Sequence, residues 1–188
     1  MVMHGDRAAA GEGRGNRWRP ALWGSAALLL LLPLVAMRFT HEVHWTPFDF
    51  AVMGTMLAVA CGGYELAARM KGSTAYRAGA GLAILAAFCM LWVNLAVGII
   101  GSEDNPANGL FVAVLAVGVA GAIVARGEAQ GMVRALTVTA AAQALVALVA
   151  LRHGSPEGTA FSVLLCAAWL ASAGLFHRAA RERTGTAP

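Results

Sequence analysis

The sequence predicts an all-α integral membrane protein, a bundle of six transmembrane helices with both termini in the cytoplasm. Six apolar stretches each have about the length that crosses a 30 Å hydrocarbon layer at 1.5 Å per residue. Of 188 residues, 59% are hydrophobic and 13% are charged, whereas soluble domains carry about 25% charged residues. Lys and Arg also concentrate on one side of the predicted membrane. Together these observations predict a protein that lies almost entirely within a bilayer.

The spans follow one another with short connections. Their predicted bounds are 21–37, 48–68, 78–101, 110–125, 132–151 and 160–176. They form one transmembrane domain over residues 20–177, which leaves no room for a soluble catalytic domain. Residues 1–19 are predicted to be a disordered basic cytoplasmic tail, and residues 178–188 a second cytoplasmic tail.

Helix boundaries have recognisable signals. Thr46, Pro47 and Asp49 supply a capping residue, a first-position proline and an early acid, so span two is predicted to begin there. Pro33 lies near the end of span one and predicts a kink or a stop. Small residues at four-residue spacing predict close helix packing in three spans. These rows are Gly54-Ala58-Gly62, Gly118-Ala122 and Ala168-Ser172.

Orientation follows from the basic residues. All but two of the 14 Lys and Arg residues flank one side of the predicted membrane, and the exceptions are Arg38 and Arg152. The positive-inside rule therefore puts both termini in the cytoplasm. The basic residues are spread over four membrane-flanking segments, so nucleic acid is not a predicted partner.

Polar side chains within spans are candidate sites because they are costly in lipid. Glu65 precedes Arg69 by one helical turn, which predicts a structural ion pair. Asn94 lies about 10 Å inside the predicted end of span three, and Gln143 has a similar depth. Both amides either join helices by hydrogen bonds or line an outward-facing pocket. For Gln143 the joining role is favoured, and for Asn94 both alternatives stay open.

The connection between spans three and four is the richest polar segment outside the tails. Glu103, Asp104, Asn105 and Asn108 offer oxygen donors of the kind that Ca²⁺, Mg²⁺ or Mn²⁺ binds. With Asn94 and Asp49 they form the candidate outer-face polar site. The alternative is that Asp104 or Asn105 caps span four. No cofactor is predicted, and a divalent cation is left open.

A second segment on the same face contains His41, Glu42 and His44, which are weak candidate metal ligands. A zinc-protease motif needs two His at i and i+4 on one helix. Here the spacing is i, i+3 and the segment precedes a helix start. No catalytic residue is therefore predicted.

Three blocks resemble a family of small bacterial inner-membrane proteins of uncharacterised function. The blocks are Trp45–Phe50, Tyr64–Arg69 and Trp92–Asn108. The resemblance covers spans two to four well and the remainder loosely. It implies a multi-pass protein of the bacterial inner membrane and no particular activity.

Three function classes stay open. A structural or accessory membrane protein is the leading prediction, with lipid, other membrane proteins or a second copy as partners. The first alternative is a small transporter or sensor with a periplasm-facing polar or cation site. The second is a membrane enzyme that uses the outer-face His and carboxylate side chains. Enzyme activity is not favoured.

Overall fold

The computed structural model describes residues 18–70, 73–102 and 104–184. The described chain is helical without strands. Six of its helices are long and apolar enough to cross a membrane, which confirms the predicted fold class. They are α1 (Trp18–Phe39), α2 (Pro47–Met70), α3 (Thr74–Ala96), α4 (Gly109–Ala125), α5 (Ala129–Arg152) and α6 (Pro156–Thr184), with a short 3₁₀ turn at Pro106–Asn108 before α4.

The chain divides into two compact units between Glu65 and Leu66. In the first unit, α1 and α2 run in antiparallel directions and contact each other through side chains. The Arg19 guanidinium forms an ion pair with the buried Glu65 carboxylate. Gly54 lies eleven residues before Glu65 on α2, and Leu30 lies eleven residues after Arg19 on α1. These two residues face each other, and a Cβ on Gly54 would lie 3.8 Å from Leu30 Cδ2. Both contacts agree on a single register between the two helices.

The start of α2 shows the predicted cap. Thr46 Oγ1 accepts the Asp49 N–H at 3.3 Å, and the Asp49 carboxylate accepts the Thr46 N–H at 2.7 Å. The two residues therefore satisfy one another's backbone donors as a capping box. By contrast, a stop at Pro33 is wrong, because α1 continues to Phe39. A proline removes one backbone hydrogen bond, whereas ending the helix in lipid would expose several.

The second unit is organised around α6. Its buried side chains recur at alternating intervals of three and four residues, the spacing of a helix that packs along one continuous stripe. They include Gly158, Ser162, Leu165, Trp169, Ser172, Phe176 and Ala179. Helix α6 packs against α5 and α3, and α4 packs against α5. The core of this unit therefore lies along α6, where α3 and α5 pack against it.

Close approaches in this unit use the small residues. A Cβ on Gly121 would lie 2.7 Å from Ala135 Cβ, and one on Gly118 would lie 3.4 Å from Thr139 Oγ1. On α6, Ser172 Oγ donates to Gly79 O at 2.7 Å. The predicted close packing is confirmed for α4 and α6. It is not seen for the row on α2, where Ala58 is exposed and a Cβ on Gly62 would meet no described atom within 4 Å.

Two observed helix ends differ most from the predicted spans. Helix α3 ends at Ala96 rather than at residue 101, because Gly98 and Gly101 take φ values of +68° and +69° that a right-handed helix does not allow. Helix α6 continues to Thr184, so residues 178–184 of the predicted tail are helical. That extension is held in place because Ala179 is buried and Ser73 donates a hydrogen bond to Glu182. Residues 1–17 of the predicted first tail lie outside the described residues, whereas Trp18 and Arg19 belong to α1.

The two ends of the second unit differ in charge. One end is identified by hydrogen bonds from Tyr76 to Gly127 and from Ser73 to Glu182. We call it the arginine-rich end because it carries Arg77, Arg126, Arg134, Arg178, Arg181 and Arg183. The opposite end, called the Ile99 end, is identified by the Ser155 hydroxyl, which donates to Ile99 O at 3.5 Å. Arg152 lies there, at the last residue of α5.

Candidate functional site

The loop between α3 and α4 is built around Asn108. Its side chain is buried, and Oδ1 accepts the N–H groups of Ile99 and Ile100 at 2.9 and 2.8 Å. Its Nδ2 donates to Ser102 O at 2.8 Å. In a continuing helix, those two N–H groups would bond to carbonyls four residues earlier. The Asn108 amide therefore replaces the helical bonds and turns the chain away from α3.

Other members of the predicted outer-face site also have local roles. Asn105 Oδ1 accepts the Ala107 N–H at 3.0 Å and caps the 3₁₀ turn that precedes α4, whereas α4 itself begins after Asn108 without a side-chain cap. Asp104 is exposed, and Glu103 lies outside the described residues. Asp49 belongs to the first unit, where it completes the capping box with Thr46. The structure thus assigns Asp49, Asn105 and Asn108 to the closure of helix ends.

The predicted metal candidates lie in the segment before α2. His41, Glu42 and His44 are exposed there, outside any helix. Among residues 18–70, 73–102 and 104–184, no three His, Cys, Asp or Glu side chains stand close enough to hold a metal ion. A cation at Glu103 and Asp104 stays a prediction.

Glu65 has a partner that the sequence did not identify. Its carboxylate pairs with Arg19 and accepts the Trp23 indole N–H at 3.4 Å. Trp18 contacts Tyr64 edge-on, with ring centroids 5.6 Å apart. These contacts place a charged and aromatic cluster where α1 begins and α2 ends. The predicted Glu65–Arg69 pair stays a prediction.

A different set of polar groups stands out inside the second unit. Gln143 and Ser162 are both 0% exposed, and Trp169 is 3% exposed. Both amide atoms of Gln143, the Ser162 hydroxyl and the Trp169 indole N–H have no hydrogen-bond partner within the described residues. The Oδ1 atom of Asn94 shares this condition. We call Asn94, Gln143, Ser162 and Trp169 the polar seam.

Helix register gives the approximate level of each of these residues along the second unit. Cys166 Sγ donates to Ala140 O at 3.4 Å, so the antiparallel α5 and α6 bring Gln143 level with Ser162. On the same stripe of α6, Trp169 lies seven residues further on, about 10 Å towards the arginine-rich end. Ser172, bonded to Gly79 of α3, sets the α3 register. That register puts Asn94 about one turn from Ser162, towards the Ile99 end.

The depth predicted for Asn94 needs correction. Because α3 ends at Ala96, Asn94 lies two residues before the end of its helix rather than seven. Gln143 lies nine residues before the end of α5 at Arg152, about 13 Å along the helix. The deeper of the two amides is therefore Gln143, for which the sequence favoured the joining role.

The seam is polar without being charged. Among the described residues of α3–α6 and the connecting loop, the buried polar ones are Asn108, Thr139, Gln143, Ser162 and Ser172, and none of these is ionisable at neutral pH. Gln143 and Ser162 offer donors and acceptors, Trp169 offers a donor, and Asn94 Oδ1 offers an acceptor. An unpaired ion would be strongly disfavoured there, because nothing in the seam compensates its desolvation. The seam therefore offers neutral hydrogen-bond donors and acceptors and no charge.

Sequence reasoning missed Ser162 and Trp169. Both lie on the stripe of α6 residues at three- and four-residue spacing, and this periodicity was the available signal. A helix in lipid, however, is apolar on all of its faces, so hydrophobic periodicity is a weak indicator of which face is buried.

No protein-family model, curated protein or solved structure matches the chain.

Proposed function

We propose that this chain is a multi-pass protein of a bacterial inner membrane that binds a small uncharged solute along the polar seam. It belongs on this proposal to the transporter or sensor class. The observation that carries the proposal is Gln143, which is 0% exposed and has no described hydrogen-bond partner for either amide atom. A buried group left unsatisfied costs about 1–3 kcal/mol. A bound solute with complementary groups removes that cost.

The orientation in this proposal has both termini in the cytoplasm. It is supported by the arginine-rich end of the second unit, which faces the cytoplasm under the positive-inside rule. The bacterial inner membrane is supported by the three sequence blocks that resemble that family. The Ile99 end then faces the periplasm, and Asn94 lies closest to it.

The test is solute binding to the purified full-length protein. Acetamide and glycerol serve as neutral probes, and acetate as a charged counterpart of similar size. Fluorescence is recorded for wild type and for Trp169→Phe, so that their difference isolates the emission of Trp169. We expect a saturable change with a neutral probe, none with acetate, and loss of the change in Gln143→Leu.

A matched control is available on the same helix. Gln130 lies on α5 and is exposed, so Gln130→Leu removes an amide without touching the seam and should keep the binding signal. If neither neutral probe changes the Trp169 emission of wild type, the proposal fails. Solute flux into proteoliposomes then separates a transporter from a sensor.

A second candidate is the accessory role that leads the sequence-based predictions. One observation favours it: the Gly54-Ala58-Gly62 row, which includes the exposed Ala58 and the open position at Gly62. Small residues allow a helix of another membrane protein to approach closely. Under this proposal Ala58→Leu would reduce recovery of a co-purified partner, and Gly63→Leu, at an exposed position on the opposite face of the same helix, would not. The enzyme alternative gains no support from the positions of His41 and His44.

A further inference from the structure

An apolar groove runs between α4 and α5 on the second unit. It encloses about 220 Å³ and is lined only by apolar side chains, among them Ala113 and Val117 of α4 and Ala142 and Val149 of α5. From Ala142 to Val149 it extends about 10 Å along α5. Both helices are long and apolar enough to cross a membrane, so lipid is the medium around such a groove.

A single cation stands at one end of this groove. Arg152 is exposed and follows Val149 by three residues, so it continues the same stripe of α5 on which Ala142 and Val149 lie. Arg152 is the last residue of α5, and the ends of membrane-spanning helices lie near the headgroups of lipids. The apolar groove and Arg152 thus follow one another along α5 as an acyl chain and its headgroup follow one another in a lipid.

We propose that this groove and Arg152 form a binding site for one anionic glycerophospholipid. One acyl chain lies between α4 and α5, and the phosphate contacts the Arg152 guanidinium, whose planar donors match phosphate oxygens. The site is separate from the polar seam and does not depend on solute binding there. A helix of a second copy would leave the position of Arg152 unexplained.

Arg38 provides a matched comparison for the charge. It too is a basic residue in the last turn of a long apolar helix, and the sequence predicts it on the same side of the membrane as Arg152. A general attraction of anionic lipid to surface charge would use both arginines equally. A specific lipid-binding site at the groove would depend on Arg152 and not on Arg38.

The experiment is native mass spectrometry of the full-length protein titrated with phosphatidylglycerol or with phosphatidylcholine of the same acyl chains. We expect one retained phosphatidylglycerol, bound more tightly than phosphatidylcholine. Arg152→Gln should weaken phosphatidylglycerol binding about fivefold, the effect of one basic residue near a lipid surface, and Arg38→Gln should leave it unchanged. Equal losses in the two variants would overturn the proposal.

The groove is tested separately from the charge. Ala142→Phe fills it and should reduce the binding of both lipids, whereas Ala141→Phe, at the neighbouring exposed position, should not. If Ala142→Phe fails to fold, the same comparison is made on α4. There Ala113→Leu fills the groove, and Ala116→Leu, at an exposed position outside it, is the control. Equal effects within each pair, or a shift from dimer to monomer on filling the groove, would overturn the proposal.

Discussion

Asn108 and Gln143 are both carboxamides buried in the second unit, with 5% and 0% exposure. Asn108 accepts two backbone N–H groups and donates to a carbonyl, whereas neither amide atom of Gln143 has a partner within the described residues. The two amides are therefore similarly buried but differ in whether their hydrogen bonds are made. A buried amide whose bonds are all made stabilises the fold. A buried amide without hydrogen-bond partners lowers the stability of the fold. We take that cost as an indication that the amide is available to a ligand.

The largest effect is expected at Asn108. Asn108→Leu removes three hydrogen bonds and leaves the N–H groups of Ile99 and Ile100 buried without an acceptor. We expect the free energy of unfolding in detergent to fall by about 3 to 4 kcal/mol. Denaturant titration followed by circular dichroism measures it. A loss below 1 kcal/mol would mean that the loop closes without this amide.

Gln143→Leu should change stability in the opposite direction. Leucine has a similar size and no polar atoms, so the unsatisfied amide disappears without leaving a large cavity. Without solute, we expect the free energy of unfolding to rise by about 1 to 3 kcal/mol, measured by the same titration. Gln130→Leu is the control, with an expected change within about 0.5 kcal/mol. Destabilisation by Gln143→Leu would show that the amide makes a hydrogen bond and would end the comparison with Asn108.

Two serines repeat the contrast on α6. Both are 0% exposed, but Ser172 Oγ donates to Gly79 O at 2.7 Å and Ser162 Oγ has no described partner. Ser172→Ala should lower the free energy of unfolding by about 1 kcal/mol. Ser162→Ala should leave it unchanged or raise it. Thermal unfolding of the two variants side by side decides this, and equal losses would contradict the assignment of Ser162 to the polar seam.

The smallest effect is expected at Asn105. Its side chain accepts one N–H at the start of the 3₁₀ turn, at a partly exposed position. Asn105→Ala should lower the free energy of unfolding by about 0.5 to 1 kcal/mol, the typical contribution of a capping residue. Denaturant titration beside Asn108→Leu measures it. A loss as large as that of Asn108→Leu would mean that the cap, rather than the buried amide, holds the loop.

The fold class could be predicted from the sequence because membrane spans are determined by composition over about 20 residues. The capping box of Thr46 and Asp49 and the cap at Asn105 were likewise predictable, because their partners lie within three residues. These features depend on the local chain alone. The observed ends of α3 and α6 differ from the ends of the predicted spans because buried contacts, Asn108 with Ile99 and Ala179 with the core, decide where each helix ends.

The sequence by itself determined six apolar helices, the asymmetry of their basic residues and the local caps. Only the tertiary structure decided that Glu65 pairs with Arg19, 46 residues away, and that Asn108 closes a loop while Gln143 has no partner. It also brought Ser162 and Trp169 onto one seam and aligned the α4–α5 groove with Arg152. The physical reason is that the summed hydropathy of a segment determines whether it forms a helix in the bilayer. Which polar atoms are satisfied depends on register between helices, and local sequence does not encode that register.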